Sequence, residues 1–203
     1  LQKLNPLSVF NIFIQLLNLL PTTYSQFTSY SNKKKLLKVW NLILDGAGDL
    51  LHPYATHVYQ FSLELIASKI PDPKNFSERL NYRKIARINI KIHILAMKCV
   101  EKLMKLRYPY DPQKIVDAVI ENLAIFVTES VQIEALNTLR CVFRSFGIDQ
   151  VDLLSLHKKL FNFMKVTKSE AILYSILSIL GTIGPLDPIS FHLSDCPSND
   201  LFH

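Results

Sequence analysis

The sequence predicts an all-α fold in which pairs of helices repeat along the chain, and three observations predict it. Apolar residues recur at helical spacing, and no segment alternates apolar and polar residues for long enough to indicate a sheet. Prolines and glycines divide the chain into segments of helix length. The apolar positions of the last segments also match those of the preceding segments when the sequence is shifted by 37 residues.

The repeat is clearest between residues 116 and 184. Val116, Val119, Leu123, Phe126 and Val127 align with Leu153, Leu156, Leu160, Phe163 and Met164. Leu136, Leu139, Val142, Phe143, Phe146 and Gly147 align with Leu173, Ile176, Ile179, Leu180, Ile183 and Gly184. At a shift of 39 residues, Ala135, Leu136, Leu139, Val142 and Phe143 align with Ala96, Met97, Val100, Leu103 and Met104. This period is typical of a HEAT-type α-solenoid, so we predict about four antiparallel helix pairs.

The first predicted helix runs from Pro6 to Leu20. Its polar residues lie three or four positions apart, which indicates an amphipathic packing helix rather than a membrane span or a secretion signal. The second helix, from Lys33 to Asp45, ends where glycines follow, and the third, over residues 51–70, has a proline in its first turn.

The remaining helices are bounded by Pro-rich or polar segments. They are predicted at Lys84 to Leu106, Gln113 to Val127, Glu129 to Phe146, Asp149 to Met164 and Ser169 to Ile183. Residues 71–83 are expected to form an insertion relative to the later repeats. The repeat array is expected to cover residues 1–188, and residues 189–203 to form a polar linker or tail.

Composition points to a protein without disulfides. The 203 residues carry a formal net charge of +6 and include three scattered cysteines, which give neither a disulfide framework nor a zinc pattern. We therefore expect a reducing, cytoplasmic location, with the nucleus as an alternative. Since the sequence begins with Leu1 and its first methionine is Met97, we also expect it to be a region of a longer protein.

The segment from Ser178 to Pro188 carries a family resemblance. Its residues Leu180, Gly181, Gly184, Asp187 and Pro188 resemble the leucine-glycine and aspartate-proline stretch near the end of the N-terminal HEAT array of TOR-type kinases. The preceding stretch, Leu160 to Ile172, resembles the same family. The resemblance implies a non-catalytic scaffold segment of a serine/threonine protein kinase, which spaces the kinase domain and docks accessory subunits or a second kinase copy. TOR-type kinases belong to the phosphatidylinositol-3-kinase-related protein kinases; a checkpoint-type kinase of the same superfamily, or an unrelated HEAT adaptor, stays open.

Physical chemistry gives a plainer interpretation of the same segment. Two glycines on one helical face would allow a neighbouring helix to pack closely, and Asp187-Pro188 is an ordinary helix stop.

We find no pattern that predicts chemistry within this chain. There is no phosphate-binding glycine loop, no zinc-protease helix and no kinase catalytic loop, so we expect no catalytic, cofactor-binding or metal-binding residue. His93 and His157 have apolar neighbours and are interpreted as hydrogen-bonded packing residues. Asp149 and Asp152 are expected to cap a helix, and Trp40 to lie in the core.

One stretch is strongly basic. Residues 69–107 contain eleven Lys and Arg against three Asp and Glu, a balance of +8, whereas the whole chain has +6. Six of these cations are spaced so that they share one helical face: Lys84, Arg87, Lys91, Lys98, Lys102 and Lys105. Such a face is either simply solvated or binds an acidic partner. Since no aromatic residue is interleaved with the cations, an acidic protein fits better than nucleic acid.

Overall fold

The computed structural model describes residues 30–47, 55–68, 76–106, 110–124, 127–147 and 149–184. These residues form seven α-helices, one 3-10 turn and no β-strand, which confirms the all-α prediction for the described part of the chain. The helices are α1 (Tyr30–Ala47), α2 (Ala55–Ala67), α3 (Phe76–Lys105), α4 (Pro112–Ile120), α5 (Glu129–Phe146), α6 (Leu153–Val166) and α7 (Glu170–Ile183). The 3-10 turn, Glu121–Leu123, follows α4.

Some sequence predictions lie outside the described residues. They are the helix predicted at 6–20, the junction at 48–54, the 71–75 part of the insertion, and everything after residue 184, including Asp187, Pro188 and the tail at 189–203.

Local polar residues set several helix ends. Asp111 accepts hydrogen bonds from the backbone N–H groups of Gln113 and Lys114 at 3.1 and 3.4 Å, ahead of a proline at the first position of α4. Asp152 caps α6 by accepting from Ser155 N at 3.1 Å, as the sequence predicted. Helix α5 has the predicted bounds because it ends at Gly147, whose φ of 76° suits glycine.

Other predicted boundaries are wrong. Helix α3 begins at Phe76 instead of Lys84, so residues 76–83 of the predicted insertion belong to it. The prediction relied on apolar periodicity, whereas the polar residues before Lys84 include good helix formers such as Glu78 and Arg79.

Two further helices are shorter than predicted. Helix α4 ends at Ile120, because the Asn122 side chain donates to Ala118 O at 3.2 Å and competes with the regular helical pattern. Helix α6 begins at Leu153, after a turn at Asp149 and the cap at Asp152.

The odd-numbered helices pack side by side, in the same order as they occur in the chain: α1 packs on α3, α3 on α5, and α5 on α7. The Asn41 side chain of α1 donates to Leu95 O of α3 at 3.0 Å, and Asp45 pairs with Lys102 further along both helices. Helices α1 and α3 therefore run parallel.

The even-numbered helices cover the other side. Helices α2, α4 and α6 pack on α3, α5 and α7 respectively, and α2 also packs on α4. In α2, Tyr59 stacks on Tyr110 with ring centroids 4.3 Å apart and donates to Asp111 O at 3.1 Å. Gln113 in α4 accepts a hydrogen bond from Asp152 N at the start of α6. The described helices thus form two layers.

The core follows the predicted register. Residues predicted to be equivalent in α3, α5 and α7 are buried in all three helices: Val100, Leu139 and Ile176; Leu103, Val142 and Ile179; Met104, Phe143 and Leu180. Leu173 departs from this pattern, since it is only half-buried whereas its equivalents Met97 and Leu136 are fully buried. Trp40 lies in the core of α1, as predicted.

Candidate partner-binding surface

The predicted basic residues lie on the side of α3 that faces away from the core. Five of the six side chains are exposed: Lys84, Arg87, Lys91, Lys98 and Lys105. The opposite side of the same helix carries fully buried residues such as Ala96, Val100 and Leu103. None of the five pairs with a carboxylate of the described residues within 4.0 Å, so their charges face solvent.

Lys102 differs from the other five. Its Nζ donates to Asp45 Oδ2 at 2.7 Å and to Asn41 O at 3.0 Å, and its side chain is only 24% exposed. Lys102 therefore joins the last turns of α1 and α3 and is not available to a partner in the way the sequence predicted. Its partner lies 57 residues away along the chain, so helical spacing alone could not reveal the ion pair.

Helix α1 adds cations that the sequence analysis did not assign to this surface. Lys34, Lys38, Asn41 and Asp45 are spaced four, three and four residues apart and share one side of α1. Because Asn41 and Asp45 contact α3, Lys34 and Lys38 also lie along the border between α1 and α3. Lys35 and Lys38 are exposed, and Lys34 is half-buried. The basic surface therefore extends over two adjacent parallel helices.

Half-buried carboxylates bound this surface on the α5 side. Glu101 of α3 accepts a hydrogen bond from Thr138 Oγ1 of α5 at 2.9 Å. Burial raises the pKa of Glu101, and the nearby Lys98 and Lys105 oppose this effect. Burial also raises the pKa of Glu134 in α5, and the charge of Glu101 adds to it. The positive surface is thus concentrated on α1 and α3.

The outer side of α2 and α4 has a different charge. The exposed charged residues of α2 and α4 are Glu64, Lys114 and Asp117, and Lys114 already pairs with Asp111 at 3.7 Å. Exposed Glu121 follows in the 3-10 turn. The outer side of α2 and α4 is therefore weakly acidic, whereas α6 in the same layer carries the exposed lysines Lys158, Lys159 and Lys165.

The buried histidine of α3 belongs to a structural network. His93 Nδ1 donates to Asn122 Oδ1 at 2.9 Å, since the Asn122 amide nitrogen is committed to Ile66 O and Ala118 O. His93 Nε2 lies 3.1 Å from both Asn89 Nδ2 and Ser68 O. Burial lowers the pKa of His93, although the hydrogen bonds to Asn122 and to Ser68 O act in the opposite direction. The interpretation of His93 as a hydrogen-bonded packing residue is confirmed.

The other polar groups of the interior are also placed for packing. His157 is fully buried in α6. Cys99 is fully buried between α1 and α3, and burial raises the pKa of its thiol to about 12. No group of three or more His, Cys, Asp or Glu side chains within the described ranges could hold a metal ion. In the same part of the chain, no helix is both long and apolar enough to cross a membrane.

The residues of the family-like segment have mixed positions. Leu180 is buried, whereas Gly181 is exposed and a Cβ atom added there would meet no atom within 4 Å. The expectation that Gly181 permits close helix packing is therefore wrong for the described structure. Gly184 follows α7 with a φ of −53°, a conformation open to any residue. Asp187 and Pro188 lie outside the described residues.

Comparisons with models of known families, with curated proteins and with solved structures find no match to this chain. The residues and geometry described above are therefore what supports a functional assignment.

Proposed function

We propose that the chain is a non-catalytic scaffold whose helices form a HEAT-type solenoid. The observation that carries this proposal is the recurrence of the same buried positions in α3, α5 and α7. Neighbouring helices of one layer that bury equivalent residues are what stacked repeats require, because each repeat covers the apolar face of the next. Such arrays offer extended surfaces to partners.

The more specific form of this proposal is a segment of a TOR-like serine/threonine protein kinase. It would space the kinase domain and dock accessory subunits or a second copy, with the active site outside this chain. Its support is the sequence resemblance around Leu180, which lies at the end of a packed helix pair, α6 and α7. Sequencing the full transcript tests it: a kinase domain encoded downstream supports the proposal, and a reading frame that ends without one contradicts it.

A free-standing adaptor that binds an acidic protein, for transport or ribosome assembly, is the second candidate. The specific observation in its favour is the row of exposed cations on α3 without carboxylate partners among the described residues. Exposed lysines separated by a turn or two of helix repel one another, and an acidic partner would relieve that repulsion.

The binding role of α3 can be tested with a labelled poly-glutamate peptide as the acidic probe. Lys91→Glu combined with Lys98→Glu should abolish most of the binding, while helicity stays unchanged because both side chains are exposed. Lys102 is left intact, since its reversal would place a carboxylate beside Asp45.

The matched control is Lys158→Glu with Lys165→Glu, two exposed lysines of α6. Binding by the unaltered protein should weaken steeply with salt, because exposed charges are screened beyond about 10 Å at 0.1 M. Equal loss of binding in both double variants would refute a binding role of α3 and leave only non-specific attraction to net charge.

A further inference from the structure

We propose that the surface formed by α1 and α3 binds an acidic protein segment that also carries an exposed apolar residue, and that Leu42 is the contact for that residue. This inference deepens the proposed binding of an acidic partner and rests on it.

Leu42 is the first observation. It lies in the middle of the exposed side of α1, and its relative exposure of 72% is high for a leucine. Val39, one turn earlier, is 41% exposed, so the two form a small apolar patch. One turn later stands Gly46, where even an added Cβ would meet no atom within 4 Å. Among the described residues, the Leu42 side chain is therefore accessible to a ligand on the outer side of α1.

The second observation is that exposed lysines of both helices lie beside this patch. Lys35 and Lys38 lie seven and four residues before Leu42 and are exposed on the same helix. Across the helix border, Asn41 donates to Cys99 Sγ at 3.0 Å. This contact places Leu42 roughly level with the exposed Lys98, since the two helices are parallel and packed helix axes lie about 8–10 Å apart. An apolar centre is thus flanked by lysines from both helices.

The third observation is that a carboxylate one turn from Leu42 is already paired. Asp45, one turn after Leu42, is bound by Lys102. It would otherwise repel an acidic ligand from the end of the surface. The Lys102–Asp45 ion pair therefore offsets the negative charge of Asp45, so that the charge around Leu42 remains positive. Lys102 has this effect without touching the partner.

The chemistry of the patch identifies the kind of partner. Carboxylates would meet Lys38, Lys91 and Lys98, and one aliphatic or aromatic side chain would cover Leu42 and Val39. Two partly exposed apolar residues are too few for an interfacial helix, which buries a whole apolar face in a membrane. The described part of this surface has no exposed aromatic residue on which nucleic-acid bases could stack. An acidic protein segment with an apolar anchor fits both the charge and the shape.

The experiment uses two labelled synthetic helical peptides and fluorescence anisotropy. Both peptides carry the same glutamates; one has a single leucine on the acidic face, and the other has glutamine in its place. Leu42→Ser should weaken binding of the leucine peptide by roughly tenfold, in line with burial of most of a leucine side chain, and leave the glutamine peptide unchanged. Lys38→Glu should weaken binding of both peptides.

Matched controls come from elsewhere on the chain. Leu177→Ser removes a leucine of α7 that is 57% exposed, and Lys158→Glu reverses an exposed lysine of α6. Neither control should change the preference for the leucine peptide. The difference in binding free energy between the two peptides is measured for the unaltered protein and for Leu42→Ser. Comparison of these two differences is a double-mutant cycle, which isolates the contact between Leu42 and the peptide leucine.

The outcomes separate this inference from the proposed function. If Lys91→Glu with Lys98→Glu abolishes binding but Leu42→Ser and Lys38→Glu behave like their controls, the basic face of α3 stands and the inference is overturned. If the α3 double variant also binds normally, both fail. Binding of an anionic vesicle or a single-stranded oligonucleotide that is as tight as the leucine peptide and independent of Leu42 would overturn the inference as well.

Discussion

Replacement of Asn122 by alanine should destabilise the fold by roughly 2–3 kcal/mol. Asn122 is 4% exposed and links α2, α3 and α4 through His93 Nδ1, Ile66 O and Ala118 O. Alanine leaves these three groups without that partner, and a buried unsatisfied group costs about 1–3 kcal/mol. Each of the two carbonyl oxygens has a second lone pair that can accept another hydrogen bond, so their loss costs less. The unpaired His93 N–H therefore contributes most of the loss in stability, and the total is smaller than three full penalties.

Urea unfolding followed by far-UV circular dichroism measures this difference. The control is Asn162→Ala, an exposed residue of α6, for which we expect a change within about 0.5 kcal/mol. If Asn122→Ala is as stable as this control, the network does not hold the three helices together and the account of His93 as a structural residue is wrong.

The same network predicts a dependence on pH. Because burial lowers the pKa of His93, the unfolded chain binds a proton at a higher pH than the folded chain does. The contribution of His93 to the free energy of unfolding should therefore be fully present above the pKa of His93 in the unfolded chain, about 6.5. This contribution should decrease as the pH falls below that value. A His93→Gln variant lacks this titration, so its stability should fall less between about pH 7 and pH 5. Parallel curves for the two proteins would contradict the burial effect.

Three further predictions concern the core, the ion pair and catalysis. Leu139→Ala and Ile176→Ala, which are fully buried at equivalent positions, should each cost roughly 2–5 kcal/mol in urea unfolding, and a neutral result for either would refute the shared register. Asp45→Ala should cost less than about 1 kcal/mol, because Asp45 is 61% exposed, yet should strengthen binding of the poly-glutamate peptide by releasing Lys102; weaker binding would contradict this. The purified chain should show no thermal shift with magnesium and ATP, although saturation at 100 times the dissociation constant would add about 2.7 kcal/mol and be readily seen.

Local signals were enough to predict some elements and not others. The bounds of α5 could be predicted because Gly147 marks its end and its apolar positions repeat those of its neighbours. The end of α4 could not, because the apolar periodicity continues to Val127 although a 3-10 turn replaces the helix at Glu121–Leu123. The polar start of α3 carried no apolar periodicity, so the prediction began only at Lys84.

The candidate surface could also be predicted only in part from the sequence. Helical spacing correctly placed Lys84, Arg87 and Lys91 on one exposed side of α3, because that geometry is internal to a helix. The spacing gave no information about Asp45, which captures Lys102, or about Lys38, which α1 brings alongside α3. Both facts depend on the parallel packing of two helices that are separated by α2 in the chain.

The stacking of repeats is tested most directly by electron–electron distance measurements between spin labels at positions 42 and 174. Both native residues, Leu42 in α1 and Tyr174 in α7, are highly exposed, and the labels would be attached to cysteines in a background without Cys141 and Cys196. Three steps of helix packing separate α1 from α7, so an open stack places the labels roughly 25–30 Å apart. A distance under about 15 Å would mean that the helices close into a compact bundle, and the solenoid account would be wrong.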